Sequence, residues 1–319
     1  MSNLLWDRVY RLTVGSAAGG IAAEFSDLHI EFSVEKSDET HADKADIKLY
    51  NVAPETIDSF LVEDNIATLY VGYGSEPQQV FSGQIDIVSV EQQETNIVVS
   101  FTFSDGRVEM VESNIDTHYP AGSTLDSVLA DLSSKMGFSY ISNNGNYPDG
   151  TGLRYVYPKG ISVSGNIKNW IDTTIKGHDL KYFVSNKVAH CIPVNSPVGT
   201  EIAVVFTPTS GLIGSPHKKN VASKINKKKK SKDVREGVEF KALMSPEVAV
   251  GSIVKVESKF VSGMYQVTKV RHRGSYRGSD WFTEVEGILP ASVTETETIS
   301  TKKNKVGGVN PDLVSVQEV

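Results

Sequence analysis

Ile47-Lys48-Leu49-Tyr50, leading into Ala53-Pro54-Glu55, is matched near the other end by Phe240-Lys241-Ala242-Leu243, leading into Ser245-Pro246-Glu247. The stretches just downstream of the two copies also correspond. Ile66-Ala67-Thr68-Leu69-Tyr70-Val71 and Phe81-Ser82-Gly83-Gln84-Ile85-Asp86-Ile87-Val88 come after the first. Ile253-Val254-Lys255-Val256 and Gly263-Met264-Tyr265-Gln266-Val267-Thr268-Lys269-Val270 come after the second. The shared order is strand, x-Pro-Glu turn, strand, hairpin, glycine-containing strand. Two copies of one β-rich unit suit a partner of doubled symmetry, which is a structural task.

Working outward, Val9, Arg11 and Thr13 alternate with Tyr10, Leu12 and Val14, and His29 to Val34 and Asn96 to Phe103 alternate too. Strands of this kind with turns every ten residues or so predict a barrel or sandwich. Pro54 suits the first turn of a short helix through Ile57, Phe60 and Leu61, where its missing N–H costs nothing. Between the two units the pattern changes. Ser123-Thr124-Leu125-Asp126 offers an N-cap, Leu125, Val128, Leu129, Leu132 and Met136 recur at helical spacing, and Gly137 supplies a left-handed stop. A second helix is expected from about Ser164, with Ile167, Trp170, Ile171 and Ile175 on one face and Gly177 as its stop. Phe138-Ser139-Tyr140-Ile141 comes after the first helix as a short strand. Leu180 to Val184 comes after the second, and pairs with Lys187 to Ile192 across a Ser185-Asn186 turn. The predicted fold class is mainly β with a smaller α+β insertion. Its expected boundaries are 1–112 and 201–290 for the β units, 113–200 for the middle unit and 291–319 for a flexible tail.

Composition limits the function. The chain has 319 residues, a hydrophobic fraction of 39% and a single cysteine, Cys191, which excludes an intrachain disulfide and disfavours a thiolate zinc site. No signal peptide is expected at Met1 to Arg8, and no apolar run approaches the roughly 20 residues of a membrane helix. His217 to Glu236 holds eight lysines and Arg235 against Asp233 and Glu236, a local +7, which leaves −14 on the rest of a chain of net charge −7. An acidic body repels phosphate. The lysine run has no interleaved aromatics for stacking bases and too few apolar residues to order itself, so 216–236 is expected to be a mobile loop.

Catalytic patterns are scarce. The sequence lacks a nucleotide-binding glycine motif, a phosphate-binding loop and a His-Glu-x-x-His, and Val14-Gly15-Ser16-Ala17-Ala18-Gly19 misses the register of a nucleophile elbow. His190 and Cys191 are strand neighbours whose side chains point to opposite faces. Glu91 with Glu94, and Asp105 with Glu109, are spaced for acid–base hydrolysis, but 39 acidic residues make such pairs common by chance. No enzyme, metal or cofactor is expected. Tyr265, Trp281, Phe282, Arg271, Arg273 and Arg277 cluster in the second unit, in the residue types favoured at interfaces. Trp281 and Phe282 alternate, so one ring is expected inside and one outside.

Ser210-Gly211-Leu212-Ile213-Gly214-Ser215-Pro216, a polar loop, then Gly237-Val238-Glu239-Phe240-Lys241-Ala242-Leu243-Met244-Ser245-Pro246 resembles the baseplate hub protein of contractile-tailed bacteriophages. Val250 to Val256 and Gly263 to Val267 continue the match. In the front half, Asp46 to Asn51, Pro54-Glu55, Tyr70-Val71-Gly72-Tyr73 and Phe81-Ser82-Gly83 agree with it. The family is related to the front part of type VI secretion spike proteins. The resemblance covers about residues 5–290. It implies two tail-tube-like β-barrels flanking the middle domain and a homotrimer whose six barrels make a pseudo-sixfold ring. That ring joins the sixfold tail tube to the threefold spike around a DNA channel.

The implied partners are a second and third copy, the tail tube protein, the central spike protein, and the tape-measure and other baseplate proteins. DNA is implied only in transit, past an acidic lumen. The implied location is the tail baseplate of a virion assembled in the host cytoplasm. Lys218, Lys219, Lys227, Lys228, Lys229, Lys230, Trp281, Leu313 and Val316 are the candidate partner-binding residues. Two rival readings are a tail-associated cell-wall hydrolase with its site in the middle unit, and a polyanion-binding module using the lysine run.

Overall fold

The computed structural model describes residues 7–39, 41–143, 151–194, 197–198, 202–222 and 234–290. The first β unit contains β1 (Arg8–Gly15), β2 (Ala22–Phe25), β3 (Ile30–Ser37), β4 (Lys44–Tyr50), α1 (Pro54–Phe60), β5 (Ile66–Tyr73), β6 (Gln78–Gln93) and β7 (Asn96–Ser104). The middle unit continues with α2 (Arg107–Glu112), β8 (Asn114–Tyr119), α3 (Leu125–Lys135), β9 (Ser139–Ser142), β10 (Ile161–Asn166), α4 (Ile167–Gly177), β11 (Leu180–Ser185) and β12 (Val188–Pro193). The second β unit contains β13 (Ile202–Phe206), β14 (Leu212–Ala222), β15 (Val234–Leu243), β16 (Ile253–Glu257), β17 (Ser262–Ser275) and β18 (Trp281–Ile288).

The repeat read from the sequence recurs as topology. The first unit orders its strands β3-β4-β7-β6-β5-β1-β2, and the second orders its own β14-β15-β18-β17-β16-β13, with β13 parallel to β16 where β1 is antiparallel to β5. Registers agree as well. Ile47 faces Phe101 across β4 and β7, and Phe240 faces Val285 across β15 and β18. β6 slips by one residue between Ile85 and Ile87, and β17 slips at the matching place, between Val267 and Lys269. A bulge of this kind bends the strand and increases its twist. The two units are also joined edge to edge. The second half of β17 pairs antiparallel with β3, Lys269 opposite Ser37 through Ser275 opposite Glu31, so both units form one 13-stranded sheet.

Three hydrophobic cores result from the alternation of buried and outward residues along these strands. The first gathers Tyr10, Leu12, Ile30, Ile47, Leu69, Phe81 and Phe103, and takes Met244 and Trp281 from the second unit. The second packs the apolar faces of α3 and α4 with Tyr182, Val184 and Cys191. The third holds Phe206, Phe240, Val256, Tyr265 and Val285, with Phe183 and Ile192 inserted from the middle unit.

Local expectations shift by a few residues. Thr124, not Ser123, caps α3 by accepting from the Ser127 N–H at 3.2 Å, because its backbone is the extended residue next to the helix. The second helix starts at Ile167 rather than near Ser164, because Ser164 lies in β10 paired with Asp116, and Asn166 caps the helix through Asn169 N–H. The β11–β12 turn is Asn186-Lys187, one residue later than expected, and both residues have positive φ, the hairpin geometry that asparagine favours. The 216–236 loop is shorter than expected. β14 continues to Ala222 and β15 starts at Val234, with Lys218 opposite Val238 and Lys219 opposite Gly237. Glutamates on neighbouring strands meet these lysines, which lets a strand without apolar alternation pair. Lys227 to Lys230, Leu313 and Val316 lie outside the described residues.

Candidate assembly interface

The seam between β3 and β17 is where the two units meet. On its outer face Arg271 stands directly opposite Glu35 and donates to Glu35 Oε2 from both Nε (3.1 Å) and one terminal nitrogen (2.6 Å). Lys269 reaches the other oxygen at 2.6 Å, and Arg271 also approaches Glu284 at 3.6 Å. Partial burial pushes the Glu35 carboxyl up, but Lys269 and Arg271 outweigh it and hold the group below its ordinary range. A forked arginine shared between two acids fixes register more firmly than a point charge would. Directly opposed charges in a sheet contribute roughly 0.2–1 kcal/mol each.

The inner side of the seam carries buried polar groups. Lys36, Asp43, Asp105, His272 and Thr283 are all buried. Lys36 donates to Asn186 Oδ1 at 3.1 Å, Asp43 Oδ1 accepts from Ser37 N–H at 3.0 Å, and Asp105 Oδ2 accepts from Lys187 N–H at 3.0 Å. The second carboxylate oxygens of Asp43 and Asp105 have no hydrogen-bond partner. Burial pushes the Asp43 carboxyl up to about 7 against the pull of Lys36, and pushes Asp105 up as well. It lowers Lys36 despite the two acids, and lowers His272 to about 3, helped by Lys36, so His272 is neutral. His272 Nδ1 lies 2.9 Å from Thr283 Oγ1.

The β11–β12 hairpin ties this seam to the middle unit. Its turn is held by Lys36 and Asp105, and its lysines Lys181 and Lys187 form ion pairs with Asp38 and Glu109. Asp105 and Glu109 are therefore occupied in this joint. Cys191 faces the middle core, where burial pushes its thiol up to about 12, while His190 turns the other way and stacks on Phe183 at 5.0 Å. The two do not form a nucleophile–base pair. Among the described residues no three His, Cys, Asp or Glu side chains converge on a metal position, and no helix is long and apolar enough to cross a membrane.

Lys218 and Lys219 project from β14, an edge of the sheet. Lys218 pairs with Glu236, and Lys219 lies 2.9 Å from Glu286 and 3.4 Å from Glu239. Trp281 corrects its assignment as a partner-facing residue: it is 3% exposed and packs edge-on against Phe32 at 5.4 Å. Phe282 is buried too, under the Lys241 ammonium 3.1 Å from its ring centre. Trp281 is covered because Arg8 roofs it while donating to the carbonyls of Ser275, Gly278 and Ser279. Lys36, Asp43 and the β3·β17 seam were missed in the sequence, since their partners lie far away along the chain.

No family model matches the sequence, and no curated protein is similar to it. Solved structures are. The 43 kDa tail protein of prophage MuSo2 from Shewanella oneidensis aligns with a TM-score of 0.60 at 10% identity, covering 89% of this chain and 99% of that one. A tail protein from Neisseria meningitidis gives 0.60 at 9% identity, covering 88% and 96%. An E. coli component of the type VI secretion system, itself structurally similar to the T4 bacteriophage tail proteins gp27 and gp5, gives 0.56 at 10% identity, covering 88% and 77%. The chain thus has a tail-protein fold. More narrowly, it is the mainly β fold expected from the resemblance to baseplate hub proteins.

Proposed function

We propose that the chain is the structural hub of a contractile-tail baseplate, acting by assembly rather than catalysis. In this reading three copies form a ring of six β units that joins the sixfold tail tube to the threefold central spike and surrounds the DNA channel. Residues 1–112 and 201–290 are the tube-like units, 113–200 the middle domain and 291–319 a tail. The observation that carries the reading is that two units sharing one strand order over six strands are joined edge to edge in one sheet. Such an arrangement supports a ring in which one polypeptide supplies two quasi-equivalent positions.

The partners are the chain itself, the tube and spike proteins, and tape-measure and other baseplate proteins, with DNA only passing through. Lys218 and Lys219 on the β14 edge, with Lys227 to Lys230, Leu313 and Val316, serve contacts between chains. The location is the virion tail, after assembly in the host cytoplasm. Light scattering on the purified chain, alone and mixed with tube and spike proteins, tests this. A trimer is expected, and a strict monomer in every mixture refutes it.

A further inference from the structure

Lys36 is a buried amine whose hydrogen-bond partner is a neutral amide. Its side chain leaves β3 on the inner side of the seam and is 7% exposed. Nζ donates to Asn186 Oδ1 at 3.1 Å and lies 5.7 Å from the centre of the Phe81 ring. Asp43 and Asp105 are near enough to favour a charge there, yet among the described residues no carboxylate forms an ion pair with it. A lysine desolvated without an acid in contact is better accommodated as the neutral amine. Burial does lower its pKa, and the lone pair of the neutral form makes it a nucleophile.

The two acids complete the arrangement. Asp43 accepts from the N–H of Ser37, next to the lysine, and the side chain of Ser185, next to the asparagine, lies beside it. Its Oδ2 is buried with no hydrogen-bond partner. Burial raises this carboxyl to about 7, so near neutral pH it can both give and take a proton. Asp105 holds the other end of the pair. It accepts from the Lys187 N–H at 3.0 Å and lies against the Asn186 backbone, which fixes the asparagine beside the amine in a turn of positive φ.

We propose that Lys36 and Asn186 condense into an isopeptide bond, an internal cross-link between the first β unit and the middle unit, with Asp43 carrying the proton. The Nζ lone pair attacks Asn186 Cγ while the Asp43 carboxyl protonates the amide oxygen. The carboxylate so formed takes up a proton from Nζ. As the tetrahedral centre collapses the carbonyl is restored, the Cγ–Nδ2 bond breaks, and Nδ2 leaves as ammonia with the hydrogen that Nζ gave up. Nothing is oxidised or reduced, and no co-reactant is needed. Cγ is one bond beyond Oδ1, so a small turn of the lysine stem brings Nζ to the roughly 3–3.5 Å of a near-attack geometry. Asn186 is exposed on its outer side, which gives ammonia a way out. The product replaces a buried amine by a neutral amide and ties covalently two elements 150 residues apart, in a chain whose single cysteine forms no internal disulfide. It reinforces the joint already held by the Lys181–Asp38 and Lys187–Glu109 ion pairs.

The test is the intact mass of the full chain, denatured so that each chain is weighed singly, followed with time after refolding at pH 7. The freshly folded chain holds the pair unreacted, and a species lighter by one ammonia, about 17 Da, is expected to accumulate. Trypsin does not cut at an acylated lysine, so digestion should give residues 12–44 joined to residues 182–187 through Lys36 and Asn186. A mass that never changes overturns the proposal. So does an ammonia loss confined to an unjoined peptide, which reports a succinimide at Asn186-Lys187. Lys36→Met and Asn186→Gly, the glycine suiting the positive φ of that turn, should keep the full mass, and the cross-linked mass in either one overturns the assignment. Asp43→Asn should slow the bond by about a hundredfold or more, and an unchanged rate overturns Asp43 as the proton carrier. Every readout is made on single chains, so failure here leaves the hub reading standing, and a chain that never forms a trimer leaves the cross-link standing.

Discussion

Replacing Asp43 by Asn tests the physical account of the buried seam. In the unfolded chain Asp43 ionises near its ordinary value, about 3.9, whereas burial in the folded chain raises it to about 7. Between those values the folded chain holds a proton that the unfolded chain has lost. The stability tied to this group is complete below the unfolded value and is lost as pH rises through the folded one. At 1.36 kcal/mol per pKa unit, the loss between pH 5 and pH 7 is about 2 kcal/mol. Asparagine keeps an acceptor for the Ser37 N–H and removes the charge, so this part of the pH dependence should vanish. Lys36, Asp105 and His272 remain in both proteins, so the difference between them reports Asp43 together with its coupling to Lys36 and Asp105. Denaturant unfolding at pH 5, 6, 7 and 8, followed by tryptophan fluorescence, measures it. The variant's lead over wild type should be smallest at pH 5, grow by about 2 kcal/mol by pH 7 and level off by pH 8. Parallel curves for the two proteins would refute the argument that burial dominates over Lys36 at this site.

Trp281→Ala should cost about 3–5 kcal/mol in the same unfolding assay, because it empties a place in the first core against Phe32. Gly274→Ala should destabilise the seam by about 1–3 kcal/mol, since a Cβ there would sit 2.3 Å from the Phe32 ring and 2.9 Å from Trp281, and hydrogen exchange in β3 and β17 should rise together. Cys191 should resist a thiol reagent at pH 8 until the chain unfolds, as read by the absorbance of the released chromophore, because it is buried and its thiol is pushed up to about 12.

Much of the β architecture was legible because period-two alternation and the two x-Pro-Glu turns are local signals. Ile47-Lys48-Leu49-Tyr50 and Phe240-Lys241-Ala242-Leu243 occupy matching register positions, as their likeness suggested. The ends of β14 and β15 were not legible, because His217-Lys218-Lys219-Asn220 has no apolar alternation and its charges are compensated by glutamates on other strands. The seam was invisible for a related reason. Glu35 and Arg271 are 236 residues apart, and nothing near either one announces the other. Trp281 misled because aromatic and arginine residues are favoured both at interfaces and where a core is roofed by a cation. The β11–β12 hairpin was found as a local element, but its Asn186-Lys187 tip binds groups from the first unit that only the folded chain brings near.

The β3·β17 pairing also sets the order in which the chain can be completed during synthesis. β3 leaves the ribosome early, whereas its partner strand ends at Ser275, so at about 5–20 residues per second the edge waits for roughly tens of seconds. An uncovered strand in a half-made protein is a template for the wrong neighbour, including the same strand on an adjacent nascent chain. β3 carries its own protection. Lys36 points inward, where such a mispairing would bury its charge without the acids that meet it in the finished fold, and Glu31 and Glu35 on the outer face disfavour pairing with a second acidic edge. These residues hold the finished seam together, and until β17 emerges they keep the edge vacant for it.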